Sequence, residues 1–143
     1  MFSLKNSSNL LQSSEKFDTL IGESSEIHGR LVLTGSTRID GKVFGNIEAP
    51  PEKKVQIFIG QTGEINGDIS AYQVTVEGKV EGNVMATERA IFRKTAVIHG
   101  DITYGDLLVA HGAKLMGLIM PLKTSARSVL EPSILSLDKI KTQ

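Results

Sequence analysis

The 143-residue chain has no cysteine and no tryptophan, and aromatic residues make up only 5% of it. Without cysteine there are no disulfides and no thiolate metal ligands, and the composition fits a reducing cytoplasm. Lys+Arg and Asp+Glu stand at 16 each. That balance removes any overall electrostatic pull toward nucleic acid or acidic lipid. No apolar run reaches the roughly 18 residues that a spanning helix needs. The opening Met1-Phe2-Ser3-Leu4-Lys5-Asn6 is not followed by the continuous apolar stretch of a secretory signal. The chain does contain glycine, isoleucine and valine in quantity, a balance that suits many short stacked strands.

Glycine recurs inside one five-residue phrase: apolar, any, Gly, any, apolar. It reads Ile27-His28-Gly29-Arg30-Leu31, Val43-Phe44-Gly45-Asn46-Ile47 and Ile65-Asn66-Gly67-Asp68-Ile69. It returns as Val80-Glu81-Gly82-Asn83-Val84, Ile98-His99-Gly100-Asp101-Ile102 and Leu115-Met116-Gly117-Leu118-Ile119. The central glycines are 16, 22, 15, 18 and 17 residues apart. Such self-similarity is the mark of a solenoid, in which each coil is stabilised by its neighbours. Residues 1–18 are rich in Ser and Asn and read as a disordered tail. Residues 19–120 carry the repeat, and residues 121–143, from Pro121 onward, lose it and read as a flexible tail.

Within the repeat the local period is two. From Ile39 to Ala49 the apolar or small residues alternate with polar ones, and residues 74–86 repeat the pattern. Alternation of this kind sends one set of side chains inward and the other into water. The residue four before each motif glycine is Ser25, Gly41, Gly63, Gly78, Ala96 or Ala113. Always small, it marks a corner that frames a short strand. The runs Leu31–Leu33, Val55–Ile59, Val74–Val76, Ala90–Phe92 and Leu107–Val109 supply a further strand per coil. Three strands per coil make a triangular prism. Six coils at about 4.8 Å each give a rod roughly 29 Å long. The 22-residue interval holds Pro50-Pro51-Glu52-Lys53-Lys54, a stiffened polar loop at one corner.

Hexapeptide helices of solenoid acyltransferases are a poor match, since their aliphatic residues fall every six positions. The segments Thr19–Gly22, Ser36–Ile47, Ile59–Ile69 and Val76–Val84, with their repeated Gly-Asp/Asn-Ile/Val, resemble the bactofilins. These are bacterial cytoskeletal proteins that polymerise without nucleotide. The resemblance spans about residues 19–120. It implies an all-β, single-domain, right-handed parallel β-helix of about six three-sided coils with disordered N- and C-terminal tails. It also implies end-to-end filaments of the chain with itself and, in many members, a membrane-touching N-terminal segment. No cofactor is implied.

The candidate interface follows from solenoid physics. Terminal coils expose unpaired backbone groups and the cut face of the core, and such edges invite pairing. At the C-terminal end Leu115, Met116, Leu118, Ile119 and Met120 crowd together, with Met116 and Leu118 expected to point outward. At the other end Leu20, Ile21 and Leu31 belong to the first coil. Phe2, Leu4 and Lys5 are the candidate membrane contacts. Each inserts little alone, but many copies along a filament add up. The expected setting is cytoplasmic and cytoskeletal, peripheral to the inner membrane, with cell-wall-modifying or morphogenetic proteins as further partners.

Catalytic and metal chemistry find little footing. Asn46, Asp68, Asn83 and Asp101 after the glycines read as turn residues bonding to their own backbone. His28, His99 and His111 lack metal spacing. Gly60-Gln61-Thr62-Gly63 lacks the Gly-Lys-Ser/Thr of a phosphate loop. The basic residues are scattered among acids, so no nucleic-acid stripe forms. A solenoid acyltransferase or metal-dependent enzyme built on trimer clefts is the alternative; it would need one of these histidines in a shared cleft.

Overall fold

The computed structural model describes residues 16–122. Fifteen short strands are present among them: β1 (Thr19–Ile21), β2 (Glu26–His28), β3 (Leu31–Val32), β4 (Thr37–Ile39), β5 (Lys42–Phe44), β6 (Ile47–Glu48), β7 (Gln56–Ile59), β8 (Glu64–Asn66), β9 (Ile69–Val76), β10 (Lys79–Glu81), β11 (Val84–Phe92), β12 (Val97–His99), β13 (Ile102–Val109), β14 (Lys114–Met116) and β15 (Ile119–Pro121). Each pairs in parallel with its counterpart one coil away, and the result is a β-helix of six coils.

One sheet holds the strands that precede the motif glycines, in the order β14-β12-β10-β8-β5-β2. The other two faces are not separate sheets. In the first two coils they are distinct strands. From the third coil on, β9, β11 and β13 bend round a corner and serve both faces, so nine strands join in one sheet. The three separate strands expected per coil therefore merge to two in this half. Only a residue or two separates the faces there, and the ladder absorbs the corner as a register shift after Ala71 and Ala86. Between β6 and β7 the corner instead opens into the Pro50–Lys54 loop, whose 3-10 turn spans Pro51–Lys53.

Three inward columns of the core run through all six coils. The first is Ile21, Ile39, Ile59, Val76, Phe92 and Val109. The second is Ile27, Val43, Ile65, Val80, Ile98 and Leu115. The third is Leu31, Ile47, Ile69, Val84, Ile102 and Ile119. Burying each mid-rod Ile or Val contributes about 1.5–3 kcal/mol. The run Leu31–Leu33 does not belong with Val55–Ile59 as its sequence suggests. Leu31 pairs with Ile47, on another face, and the first coil's counterpart of β7 is β1. A short apolar run looks alike on any face, so only register separates them.

Corners are closed by small residues packed against backbone. A Cβ at Gly78 would collide with the carbonyl oxygens of Gly60 and Gly63. Long and tight corners interlock where they meet. The Thr62 hydroxyl of a long corner donates to the Asp40 carbonyl of the tight corner below, at 2.7 Å. Thr95 does the same to Glu77 at 2.6 Å. On the sheet that precedes the glycines, Glu26, Lys42, Glu64 and Lys79 stack with alternating sign along the outside.

Candidate assembly surfaces

The motif glycines place one polar residue per coil at the same corner. Gly82 has φ +151°, a conformation that side-chain-bearing residues rarely adopt. The residue after each glycine then faces its counterpart one rung on. Asn46 Oδ1 accepts from the Asp68 N–H at 2.9 Å, and Asp68 Oδ1 accepts from the Asn83 N–H at 2.9 Å. Asn83 Oδ1 accepts from the Asp101 N–H at 3.0 Å, and Asp101 Oδ1 from the Leu118 N–H at 3.1 Å. The expectation that these side chains bond to their own backbone is corrected. They form a ladder between coils, because parallel stacking brings the next rung's N–H closer than the local one.

The ladder stops at both ends of the rod. Leu118 receives nothing further to offer, since its side chain has no oxygen. At the other end Arg30 turns away to Glu48, with Nη2 2.7 Å from Oε1. That hydrogen bond holds the Glu48 carboxyl below the usual carboxylate range and pushes the Arg30 guanidinium further up.

The core columns are open at the C-terminal end. Ile39, Ile59, Val76 and Phe92 are sealed, yet Val109 in the same column is 46% exposed. Ile47, Ile69, Val84 and Ile102 are sealed, yet Ile119 is 39% exposed. Leu115 is half-buried, and Met116, Leu118 and Met120 are exposed, with Leu118 at 63%. These five candidate residues therefore share one terminal coil. At the N-terminal end Leu20 points outward and is 65% exposed, Leu31 is half-buried and Ile21 is buried. The two ends differ in character: Ile21 is covered, and its column mate Val109 is not.

Sequence reading missed Leu107, Leu108 and Val109 as members of the open end. The signal was present in register. Val109 sits where earlier coils carry Ile59, Val76 and Phe92, so a final coil must leave it uncapped. Phe2, Leu4 and Lys5 lie outside the described residues. No helix among the described residues is long and apolar enough to cross a membrane.

The histidines do not converge. His28 and His99 belong to one outward column four rungs apart, about 19 Å along the axis. His28 stacks on the Phe44 ring with centroids 4.8 Å apart. Among the described residues no group of three His, Cys, Asp or Glu is placed to hold a metal ion.

Comparison with known proteins agrees with this architecture. The family described as bactofilin, polymer-forming cytoskeletal, matches residues 19–120. Bactofilin BacO of Myxococcus xanthus is 29% identical over 100 residues, covering 70% of this chain and 76% of BacO. Bactofilin BacP of the same organism is 28% identical over 110 residues, which is 77% of this chain and 44% of BacP. Among solved structures, the cryo-EM reconstruction of Thermus thermophilus bactofilin double helical filaments matches with a TM-score of 0.67 and 28% identity. It covers 73% of this chain and 99% of that one. The crystal structure of a mutant of the same Thermus protein matches with a TM-score of 0.58 and 28% identity, over 64% of this chain and 97% of that one. With the six-coil rod and a family match across the whole repeat, the chain belongs to the bactofilins, a family of structural, polymer-forming cytoskeletal proteins rather than enzymes.

Proposed function

We propose that this chain assembles end to end with copies of itself into filaments that need no nucleotide. Its terminal coils, Leu20, Ile21 and Leu31 at one end and Leu115, Met116, Leu118, Ile119 and Met120 at the other, are the contact surfaces. The filaments lie on the inner membrane surface through Phe2, Leu4 and Lys5 of the N-terminal tails. There they act as a scaffold for cell-shape or cell-wall-modifying proteins.

The observation that carries the end-to-end reading is the exposure of Val109 and Ile119 above columns that are sealed from the second coil to the fifth. An uncapped core and an unpaired rung favour burial against another protein surface. The family's polymer-forming character and the filaments formed by the Thermus relative supply a partner of the right kind, a second copy. Electron microscopy of the purified protein without nucleotide tests the reading. Open-ended filaments are expected; a discrete, metal-bearing trimer would favour the enzyme alternative.

A further inference from the structure

One edge of the rod is toothed. The corner that precedes β2, β5, β8, β10, β12 and β14 is aligned from coil to coil by the strands on either side of it. In the first, third, fifth and sixth coils it is a turn closed by one backbone hydrogen bond: Ser25 N–H to the Gly22 carbonyl at 3.0 Å, Gly63 to Gly60 at 2.9 Å, Ala96 to Arg93 at 3.0 Å and Ala113 to Ala110 at 3.2 Å. The middle residues of these turns, Glu23-Ser24, Gln61-Thr62, Lys94-Thr95 and His111-Gly112, are exposed and form the teeth. In the second and fourth coils the corner is only Asp40-Gly41 or Glu77-Gly78, with no such turn. Each tight corner leaves a notch one rung wide, about 5 Å, which is the thickness of one tooth.

The edge also changes sign along its length. A groove of about 550 Å³ over the first four coils is lined by Glu23, Arg38, Asp40, Gln61, Thr62 and Glu77. That sets three carboxylates against one guanidinium, whose Nε donates to Asp40 Oδ2 at 2.9 Å. The corners of the next two coils carry Arg93, Lys94 and His111 and no acid. Arg93 reaches back toward Glu77, with 3.9 Å between Nη1 and Oε2. Lys94 is exposed and has no ion pair among the described residues.

We propose that this edge pairs side by side with the same edge of a second copy lying antiparallel, about a two-fold axis between the third and fourth coils. Teeth then meet notches in the four middle coils. The Gln61 tooth enters the notch at Glu77 of the second copy, and the Lys94 tooth enters its notch at Asp40; symmetry makes each engagement twice. An amide faces a carboxylate in the first contact and an ammonium faces one in the second. At the two ends Glu23 meets His111 tooth to tooth, and a crossing angle between the rods lets these pass side by side. Other arrangements fail on shape or on charge. A parallel copy in register sets tooth on tooth, as does an antiparallel copy slid by one coil. A parallel copy slid by one coil meshes but sets Glu23 against Asp40. An antiparallel copy slid by two coils, so that the first coil faces the fourth, meshes but sets Glu23 against Glu77, and like charges oppose docking. The edge is narrow, so the pairing rests on the filament reading: repetition along two filaments sums many weak contacts.

The absence of cysteine makes a direct test possible. Full-length Lys94→Cys and Asp40→Cys chains are mixed and mildly oxidised. The disulfide between the two variants forms at least ten-fold faster than either variant's disulfide with itself, since like positions lie three rungs apart across the axis, about 14 Å. It is also at least ten-fold faster than that of Lys94→Cys with Glu81→Cys, which lies on the neighbouring face. Equal rates overturn the edge contact, and faster self-disulfides overturn the antiparallel sense. A second measurement leaves the carboxylates in place. Gln61→Cys alone comes within one rung of itself across the axis and cross-links. Adding Lys94→Glu on its exposed tooth slows that cross-link at least ten-fold, and an unchanged rate refutes the charge contact. Electron microscopy of the same samples reads the end contacts separately. Filaments without the disulfides refute the edge pairing and leave the end-to-end reading standing; disulfides without filaments do the reverse, and the lack of both refutes both.

Discussion

Asp101 accepts a hydrogen bond from the backbone N–H of Leu118, 3.1 Å away, and Leu118 has no side-chain oxygen to continue the series. Four such bonds run from Asn46 to Leu118 along one edge of the rod. They couple each coil to the next in addition to the strand ladders. The last member is an exposed leucine at the open end, so the corner that serves as a rivet inside the rod becomes an apolar surface at its tip.

The ladder predicts a graded effect on stability. Asn83→Ala and Asp101→Ala each remove one acceptor and cost about 0.5–1.5 kcal/mol, near the low end because water reaches the freed N–H. Leu118→Ala removes no acceptor and leaves the ladder intact. Urea unfolding of the three variants checks this; equal losses in all three would show that the bonds carry no stability.

Mid-rod positions tolerate far less. Val80 and Ile65 are sealed in the second core column, so Val80→Asp or Ile65→Asp buries an unpaired charge and costs several kcal/mol, roughly 4 or more. Gly78→Ala is also strongly destabilising despite its small size, because the added methyl meets two carbonyl oxygens of the coil below. Circular dichroism melts should show loss of the cooperative β-sheet transition for the Asp variants. A near-wild-type melt for Gly78→Ala would mean that the corner can open.

Much of the rod was legible before any coordinates. The corners demand glycine where φ is positive or backbones touch, so Gly82 and Gly78 announce the coil length wherever they fall. The inward columns follow from alternation, and Val43, Ile65, Val80 and Ile98 were recognisable as one stack. What stayed hidden depends on which rung lies opposite which. Leu31–Leu33 was placed on the wrong face because an apolar run carries no face label. Asn83 and Asp101 were read as local turn formers because sequence does not display an N–H that is near only after stacking. The bonds from Thr62 and Thr95 to the tight corners beneath them are hidden in the same way, since they too join residues of different coils. Val109 was overlooked for the same reason, since its exposure is a property of being last in a column.

The Arg30–Glu48 pair gives a pH dependence of known sign. Hydrogen bonding to Arg30 lowers the folded-state pKa of Glu48. The pair therefore adds stability above the ordinary Glu value, and that increment fades as pH falls through the lowered folded value. Both groups are solvent-exposed, so the increment is small. The wild-type minus Glu48→Gln difference in urea midpoint should be slightly positive near neutrality and vanish in acid, once the pH has fallen below the lowered folded value. A difference that does not change with pH would remove charge as its origin.

The end-contact reading is tested by charge placed on the open coil. Leu118→Arg and Ile119→Arg sit at the tip, where the rod's own core is already incomplete, so folding should survive. A guanidinium facing a second copy would have to be desolvated without a partner, which opposes association. Sedimentation should show polymers replaced by monomers or dimers, with circular dichroism unchanged. Long polymers in both variants would place the contact elsewhere.

Membrane contact is separable from polymerisation. Phe2, Leu4 and Lys5 offer two apolar groups and one cation, which bind an interface only weakly as single copies. Repetition along a filament raises the effective concentration of tails at the surface, so binding depends on the polymer as well as on the tail. Deleting residues 2–5 should leave filaments intact by electron microscopy while reducing pelleting with anionic vesicles several-fold. Leu118→Arg, which keeps the tail and loses the polymer, should reduce pelleting too. If the deletion alone leaves pelleting undiminished, the tail is not the membrane contact. If Leu118→Arg disperses the polymer and pelleting persists, single tails bind strongly enough that avidity has no part in it.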